Sequence, residues 1–241
     1  MTNKTNSPTL FNLFWENSKI NKRTILKLAT MLSDDARTSK MLPQLYYPTE
    51  DLLLSKPTDA LINTMMNRKN IRAFTTASLS EKQLGSLLYG LGQQDSINRL
   101  LPSAGAKYPI EVYGFLFNVS SKLNQHIVYY NADKHTLSVV KKSPAWDELK
   151  EFFGLELDGI PAVVFVFVAI PERTMDKYGE RGGRFILIEA GHYTQNLALR
   201  LSHEHLGGVL SGALHDDEIK KILGLDNTTA LMVIAFACGK T

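Results

Sequence analysis

The hydrophobic positions of this chain follow two different spacings, which predict a mixture of strands and helices. A strand is predicted directly after Pro109, in the run IEVYGFLF, and two more are predicted around a turn in IVYYNADKHTLSVV. The run PAVVFVFVAI is apolar throughout and rich in β-branched residues, which is typical of a strand buried on both faces. A last buried strand is predicted in ALMVIAFACG.

Helices are indicated by capping residues and by helical spacing. Thr58 can begin a short helix that runs through Asn67, and Ser80 with Gln83 forms a capping box for a helix that stops near 90–92. The longest helix is predicted in RFILIEAGHYTQNLALRLSHEHLGG. It is apolar on most sides, and its expected glycine C-cap lies at 207–208.

A short capped helix, Asp216–Leu223, is predicted to end at Gly224. Because the predicted elements do not alternate regularly as βαβ units, the fold class is α+β rather than a doubly wound parallel sheet. Residues 58–241 are predicted to form the main domain. Residues 1–57 read as an accessory segment with helical stretches such as Ile20–Met31 and an extended run from Leu42.

Composition narrows the class of protein. The 241 residues, 44% of them hydrophobic and 21% charged, suit one large globular domain. A net charge of +3 suits an anionic cofactor but is too weak to argue for nucleic-acid binding. With one cysteine, Cys238, no intramolecular disulfide or cysteine-based metal cluster is expected. Neither a membrane span nor a secretory signal is expected, so a cytoplasmic protein is predicted.

The first candidate site is the basic run Asn67–Phe74. Arg68 and Arg72 would share a face in a helical turn and could converge in an extended one, and two guanidinium groups can grip a phosphate bidentately. The alternative is a solvated basic surface, which is the commoner meaning of such a run. Lys240 favours an anion site, because it follows a predicted buried strand, where a cation would otherwise be oddly placed.

Two connecting segments carry further candidates. The segment from Arg99 to Pro109 contains Ser103 and Gly105, which would let a planar ligand approach the backbone, although an ordinary turn fits as well. The segment 176–184 is predicted as a polar loop. Its adjacent Lys177 and Tyr178 form a candidate acid–base pair, because an ammonium group eases formation of a phenolate; a structural tyrosine is the alternative.

Three polar residues, Glu189, His192 and Asn196, share one stripe of the long apolar helix. Buried polar groups require hydrogen-bond partners, so this stripe must meet something. A structural network at a helix or subunit contact is the first interpretation, and contact with a cofactor or substrate is the second. A carboxylate-bridged metal site ranks last, because a second Glu-x-x-His is absent; no metal is therefore predicted.

In this order and spacing, the segments resemble the azoline-oxidising branch of the FMN-dependent nitroreductase superfamily, which makes thiazole- and oxazole-containing peptides of the streptolysin S and microcin B17 type. The resemblance runs from about Arg68 to Lys240. It implies a nitroreductase-like homodimer with a mixed or antiparallel sheet flanked by helices, one of them a long central helix, and with FMN at the subunit interface. Lys177 and Tyr178 match the catalytic pair of that branch. The positions that match its cofactor-binding residues are Arg68, Lys69, Asn70, Arg72, Arg99, Pro102, Ser103, Ala104, Gly105, Ser211, Gly212, Ala213 and Lys240.

The sequence departs from the branch's pattern at Asn70, Lys107, Gly183 and Ala213, and these departures bear on substrate preference more than on flavin binding. The resemblance implies oxidation of thiazoline or oxazoline rings in an azoline-containing precursor peptide, beside a cyclodehydratase. Two alternatives stay open. One is a nitro or quinone reductase that draws hydride from NAD(P)H; the other is a non-catalytic, flavin- or peptide-binding component of the modification complex.

Overall fold

The computed structural model describes residues 9–20, 24–38, 53–95 and 98–241. The α-helices are α1 (Leu10–Ser18), α2 (Thr24–Thr38), α3 (Ala60–Asn67), α4 (Glu81–Tyr89), α5 (Trp146–Leu149), α6 (Glu172–Tyr178), α7 (Arg181–His203) and α8 (Asp216–Leu223). The strands are β1 (Leu79–Ser80), β2 (Ile110–Leu116), β3 (Val119–Ser120), β4 (His126–Asn131), β5 (Thr136–Lys142), β6 (Val163–Ala169), β7 (Gly207–Ser211) and β8 (Leu231–Gly239). Short 3₁₀ turns occur at Ala104–Ala106 and Lys150–Phe153.

The main sheet has six strands in the order β5-β4-β2-β6-β8-β7, and every neighbouring pair is antiparallel. β1 and β3 form a separate two-residue parallel pair. Helices cover the sheet on both faces, so the predicted α+β class with a largely antiparallel sheet is confirmed.

β6 shows why the sheet lies at the centre of the molecule. All seven of its residues are buried. Successive side chains of a strand point to opposite faces. Accordingly Phe165 and Phe167 pack into the core that contains α4 and α7, whereas Val164 and Val166 pack into the core that contains α5 and α8. The apolar run therefore forms a strand buried on both faces, as predicted, with helices on each side of it.

The long helix differs from its prediction at both ends. It begins at Arg181, inside the segment predicted as a loop, and it ends at His203 without a glycine cap. His205 takes the left-handed conformation (φ 54°), and the N–H of Leu206 donates to the carbonyl of Leu201 at 2.9 Å. This is a Schellman ending in which a histidine does what glycine usually does. Gly207 and Gly208 instead begin β7.

Other boundaries shift by small amounts. The N-cap of α3 is Asp59 rather than Thr58; its carboxylate accepts a hydrogen bond from Ile62 N at 2.9 Å. The capping box at Ser80 and Gln83 is present as predicted. In the accessory segment, α2 begins at Thr24 rather than Ile20. The extended run predicted from Leu42 lies outside the described residues.

Candidate functional site

Lys177 and Tyr178 form the last turn of α6 rather than part of a loop. The helix stops there because Gly179, at φ 57°, turns the chain into the start of α7. Lys177 Nζ lies 5.2 Å from the centre of the Tyr178 ring. The ring packs edge-on against Phe185 at 5.0 Å. A short helix, a glycine turn and an aromatic neighbour therefore fix the orientation of this pair.

The loop from Pro102 to Tyr108 lies directly against the Lys-Tyr pair. A Cβ added to Gly105 would stand 2.5 Å from Tyr178 Oη and 2.7 Å from Lys177 Nζ, so only glycine allows this approach. Gly105, Ala106 and Tyr108 all have positive φ, at 62°, 52° and 44°. Such backbone strain in non-glycine residues persists only where surrounding contacts enforce it.

Those contacts come from both sides of the loop. The Tyr108 N–H donates to Ser103 Oγ at 2.8 Å, and Arg173 Nη1 donates to the Tyr108 carbonyl at 2.8 Å. Arg173 also forms a salt bridge with Glu111. It lies one helical turn before Lys177, so α6 holds the loop and presents the candidate acid–base pair at the same time. Arg173 was not predicted from the sequence, although its spacing of four residues from Lys177 was an available signal.

The polar stripe of α7 meets the same loop. Glu189 is only 2% exposed, and neither of its carboxylate oxygens has a hydrogen-bond partner of normal geometry among the described residues. Burial raises the pKa of Glu189 to about 7, and the nearby Ser103 hydroxyl and the Arg99 charge offset that only in part. His192 Nδ1 lies 3.4 Å from the Pro102 carbonyl. Asn196 Nδ2 donates to two backbone carbonyls, those of Gly90 and Leu100.

Arg99 lines a polar cleft together with Lys107, Tyr108 and Arg173. Its guanidinium donates to Tyr193 Oη at 2.9 Å, lies 3.4 Å from an Asp133 carboxylate oxygen, and stacks over the Tyr108 ring at 4.6 Å. The group is thus already engaged by protein partners. The structure brings Arg99 to the far end of the Pro102–Tyr108 loop but not to the other predicted arginines.

Arg68 and Arg72 belong to a second group of residues. After α3 the chain is extended, and Ile71 N–H donates to the Gly208 carbonyl at 2.9 Å while the Arg72 carbonyl accepts from Asp158 N–H at 2.9 Å. Four residues of extended chain span about 13 Å. Arg68 accordingly lines a small cleft of about 260 Å³ with Lys69, whereas Arg72 lines a large one of about 1360 Å³. Asn70 and Ile71 line both clefts, so this segment forms the wall between them.

The turn that follows β7 also reaches the large cleft, through Ala213 and His215. Ser211 Oγ lies 3.3 Å from the Gly154 carbonyl and accepts from Ala213 N–H at 3.2 Å, which fixes the turn. A Cβ on Gly212 would meet nothing within 4 Å, so the backbone there is open. Ala213 faces the cleft together with Arg72. Two predicted cofactor-binding segments, far apart in sequence, therefore share one cavity.

Lys240 follows β8, and its carbonyl accepts a hydrogen bond from Thr75 N–H at 2.8 Å. The charged groups of Lys240 and Arg72 take part in no salt bridge within the described residues. Arg72 is exposed, and Lys240 is half-buried. Cations held by pinned backbone but left without a carboxylate partner are suited to binding an anion.

The remaining walls of the large cleft were not predicted. They come from the turn after the 3₁₀ segment and from the accessory segment, with lining residues that include Gly154, Leu157, Asp158, Ile20, Ile25 and Leu28. Neither cleft of the second group includes the Pro102–Tyr108 loop, Lys177 or Tyr178. The predicted site residues are therefore divided between two regions of the chain.

In the described part of the chain, no helix is long and apolar enough to cross a membrane.

The α+β fold agrees with the family comparison. The chain matches the profile of the nitroreductase family over residues 65–240 and belongs to that family. This family assigns the chain to the flavin-dependent oxidoreductases as a class.

Two curated relatives cover much of the chain. A nitroreductase homologue of Methanocaldococcus jannaschii is 29% identical over 181 residues, which cover 72% of this chain and 88% of the relative. The microcin B17-processing protein McbC of Escherichia coli is 28% identical over 149 residues, which cover 58% of this chain and 54% of McbC.

Solved structures show the same fold. A nitroreductase-type protein from Ralstonia eutropha matches with a TM-score of 0.65 at 24% identity, covering 83% of this chain and 99% of that chain. The E. coli microcin synthetase McbBCD complex with truncated pro-MccB17 bound matches with a TM-score of 0.69 at 23% identity, covering 86% of this chain and 81% of that chain. At these identities the likeness shows the fold alone.

Proposed function

We propose that this protein is an FMN-dependent dehydrogenase that oxidises thiazoline or oxazoline rings of a ribosomally made peptide to thiazoles or oxazoles. The observation that supports this proposal best is the position of Lys177 and Tyr178 against the glycine loop at Gly105. The phenolate form of a tyrosine, stabilised by a neighbouring ammonium group, can take a proton from a carbon acid and become the neutral phenol. The similarity to McbC, a microcin B17-processing protein, supports the choice of substrate class.

The residues around the large and small clefts fit FMN. We call them the cation-lined region, which comprises 68–72, Ser211–Ala213 and Lys240. Arg72 and Lys240 supply cations for the phosphate, whereas Arg68 lines the separate small cleft and is left out of this phosphate site, contrary to the convergence expected from the sequence. The open backbone at Gly212 leaves space for a planar ring. The large cleft, about 1360 Å³, exceeds the roughly 300–1000 Å³ of usual small-molecule sites, so it has room for more than a cofactor. When bound, FMN would supply the two-electron redox capacity by accepting hydride from the ring.

The chain's own residues would handle the proton. Aromatisation of an azoline removes one hydride and one proton, and Tyr178 Oη would accept the proton. The ammonium group of Lys177 would stabilise the phenolate that accepts it. Because Gly105 lies against both groups, the loop from Pro102 would exclude water from the reacting ring and fix its orientation.

We propose a homodimer in which the two regions of neighbouring protomers form each active site. Within the described residues of one chain, neither the large nor the small cleft reaches the Lys-Tyr pair. α7 exposes two adjacent apolar residues, Leu187 at 39% and Ile188 at 56%, and Met65 of α3 is 43% exposed. Exposed apolar patches can mark protein interfaces. A C2 dimer through α7 would bury them.

The proposed partners are an azoline-containing precursor peptide and a cyclodehydratase that makes the azoline. The structural match to a synthetase complex with a truncated pro-peptide bound supports a peptide substrate. A second candidate function is an NAD(P)H-dependent nitro or quinone reductase. It is favoured by the relative from M. jannaschii, which carries a nitroreductase name and matches over more of this chain than McbC does.

One experiment separates the two functions. The visible spectrum of the purified protein is recorded without oxygen, then after addition of NADPH and, separately, of an azoline peptide. We expect a bound-flavin spectrum that the azoline peptide bleaches and NADPH does not. Bleaching by NADPH alone would establish the reductase instead. A protein that binds no FMN even when it is supplied would contradict both functions and leave the non-catalytic component.

A further inference from the structure

The N-terminal end of α1 is bound by a side chain that neighbours the Lys-Tyr pair. Glu180 follows Tyr178 by two residues. Its carboxylate oxygens accept hydrogen bonds from Leu10 N–H at 3.0 Å and Phe11 N–H at 2.9 Å. The first N–H groups of a helix have no partner within the helix and carry partial positive charge, so a carboxylate is their natural ligand. This contact joins the accessory segment to the turn between α6 and α7.

A ring inserted beside that turn strengthens the connection. Phe11 is 8% exposed and packs onto Gly183 in the first turn of α7, where an added Cβ would overlap the phenylalanine ring. Gly182, the residue before it, packs in the same way against the backbone of Met175 in α6. Gly182 therefore lets α6 and α7 meet at backbone distance, and Gly183 lets the Phe11 ring of α1 pack against the start of α7, a few residues after Lys177 and Tyr178.

The C-terminal end of α1 is fixed to the start of α8, next to the cation-lined region. Lys19, just after the helix, forms a salt bridge with Asp217 at 2.8 Å, and the Trp15 indole lies near the Asp216 carboxyl group. Trp15 is 7% exposed, so this end also belongs to the core. Asp216 begins α8, three residues after Ala213 on the wall of the large cleft. A nine-residue helix thus spans from the Lys-Tyr turn to the segment that follows the cleft wall.

We propose that α1 is a positioning element that holds the Lys-Tyr turn and the Ser211–Ala213 segment in fixed relation, with Phe11 and Glu180 as its positioning residues. The catalytic part of this inference rests on the proposed azoline dehydrogenase function. The structural part, the coupling of the two segments through α1, does not. The two parts therefore need separate measurements.

The first measurement is hydrogen–deuterium exchange on the full-length protein, comparing wild type with Phe11→Ala. We expect faster exchange in peptides covering 176–183 and in peptides covering 211–217, with exchange in β6 unchanged. Leu13→Ala is the matched control, because it shortens an apolar side chain of the same helix that is 44% exposed. It should change exchange in neither segment.

The second measurement is steady-state turnover of an azoline peptide by the same variants. A misplacement of about 1 Å can cost roughly a hundredfold in rate. We expect kcat to fall about tenfold to a hundredfold in Phe11→Ala, with KM within about twofold of wild type and bound flavin retained. Gly183→Ala should be harmful alone, because its methyl group meets Phe11, but should partly restore kcat when combined with Phe11→Ala.

Glu180→Ala is the alternative variant should Phe11→Ala fail to fold, because Glu180 is exposed and its loss leaves no cavity. It should raise exchange in the same two segments. If exchange rises in one segment only, or in neither, α1 does not couple them and the inference is wrong. If both rise while kcat stays at the wild-type value, α1 contributes stability and not positioning. If wild type oxidises no azoline, the proposed function fails and the exchange result alone decides the coupling.

Discussion

The two regions of the candidate site are built in opposite ways. Around Lys177 and Tyr178 the polar groups of the backbone are held by the protein itself: Arg173 and Ser103 hold the Pro102–Tyr108 loop, and Glu180 holds α1 against the turn. In the cation-lined region the backbone is pinned just as firmly, but the charges of Arg72 and Lys240 have no partner among the described residues.

The difference matches two kinds of chemical task. An acid–base pair works only if its atoms are placed before the substrate arrives, so its neighbours must be protein groups. A phosphate site must leave its cations free, because a carboxylate partner would compete with the ligand. Unpaired cations on a pinned backbone are therefore suited to holding a phosphate, and a loop held by protein hydrogen bonds is suited to keeping an acid–base pair in place. Four predictions test whether the two regions can be separated.

Tyr178→Phe should have the largest effect. The substitution keeps the ring and its packing against Phe185 but removes the proton acceptor, so we expect kcat for azoline oxidation to fall by a factor of about 10²–10⁴. The flavin spectrum should be retained, because the cation-lined region is untouched. Tyr89→Phe, at a tyrosine that is 57% exposed, is the control. Near-normal turnover of Tyr178→Phe would remove this residue from the mechanism.

Ile188→Glu should separate the two protomers, and with them the two regions that form each proposed active site. A carboxylate in the centre of an apolar interface costs several kcal/mol unless it is paired, so the proposed dimer should dissociate, as light scattering can measure. Turnover should fall with the dimer fraction. Val140→Glu places the same charge on β5, at a residue that is 39% exposed, and should leave the oligomeric state unchanged. A monomeric wild type with full activity would show that one chain completes the site.

How far the sequence predicted these features depended on the range of the interactions involved. β6 was predictable because seven consecutive buried positions leave no periodicity to misinterpret. The capping box at Ser80 was predictable because both partners lie within one turn. The prediction of where α7 ends was wrong, because the helix ending depends on a left-handed conformation of His205. A histidine in the sequence does not indicate that conformation.

The site residues were also predictable only where the interacting groups lie close together in the sequence. Lys177 and Tyr178 could be selected as a pair because they are adjacent, but their contact with Gly105, over seventy positions away in the chain, depends on the packing of α6 beside the loop. The role of Glu180 was missed, because capping normally involves a residue next to the helix, whereas its partner α1 begins 170 positions earlier. Long-range contacts of this kind leave no local signal.

Arg72→Ala should weaken the cation-lined region alone. Loss of a charge-assisted hydrogen bond to phosphate is worth about 1.5–3 kcal/mol, so the Kd for FMN should rise about tenfold to a hundredfold. The Kd of Arg72→Lys for FMN should lie between those of wild type and Arg72→Ala, because lysine keeps the charge but not the planar bidentate geometry. Fluorescence quenching of FMN on binding measures both, with Lys141→Ala on β5 as the control. An unchanged Kd in Arg72→Ala would place the phosphate elsewhere.

Glu189→Gln should have the smallest effect, and one that depends on pH. Burial raises the pKa of Glu189 from 4.5 to about 7, so the folded protein holds a proton that the unfolded chain releases above about pH 4.5. Stability should therefore be full at pH 4.5 and below, and should decline as pH rises through 7, by on the order of 1–3 kcal/mol. Glutamine is neutral at every pH, and so the variant should lose less stability than wild type between pH 5 and pH 8 in urea unfolding. Glu218→Gln, at an exposed position of α8, should follow the wild-type curve. If the wild type and Glu189→Gln curves run parallel, the Glu189 carboxylate is ionised in the fold, and the Pro102–Tyr108 loop does not stand over a neutral acid.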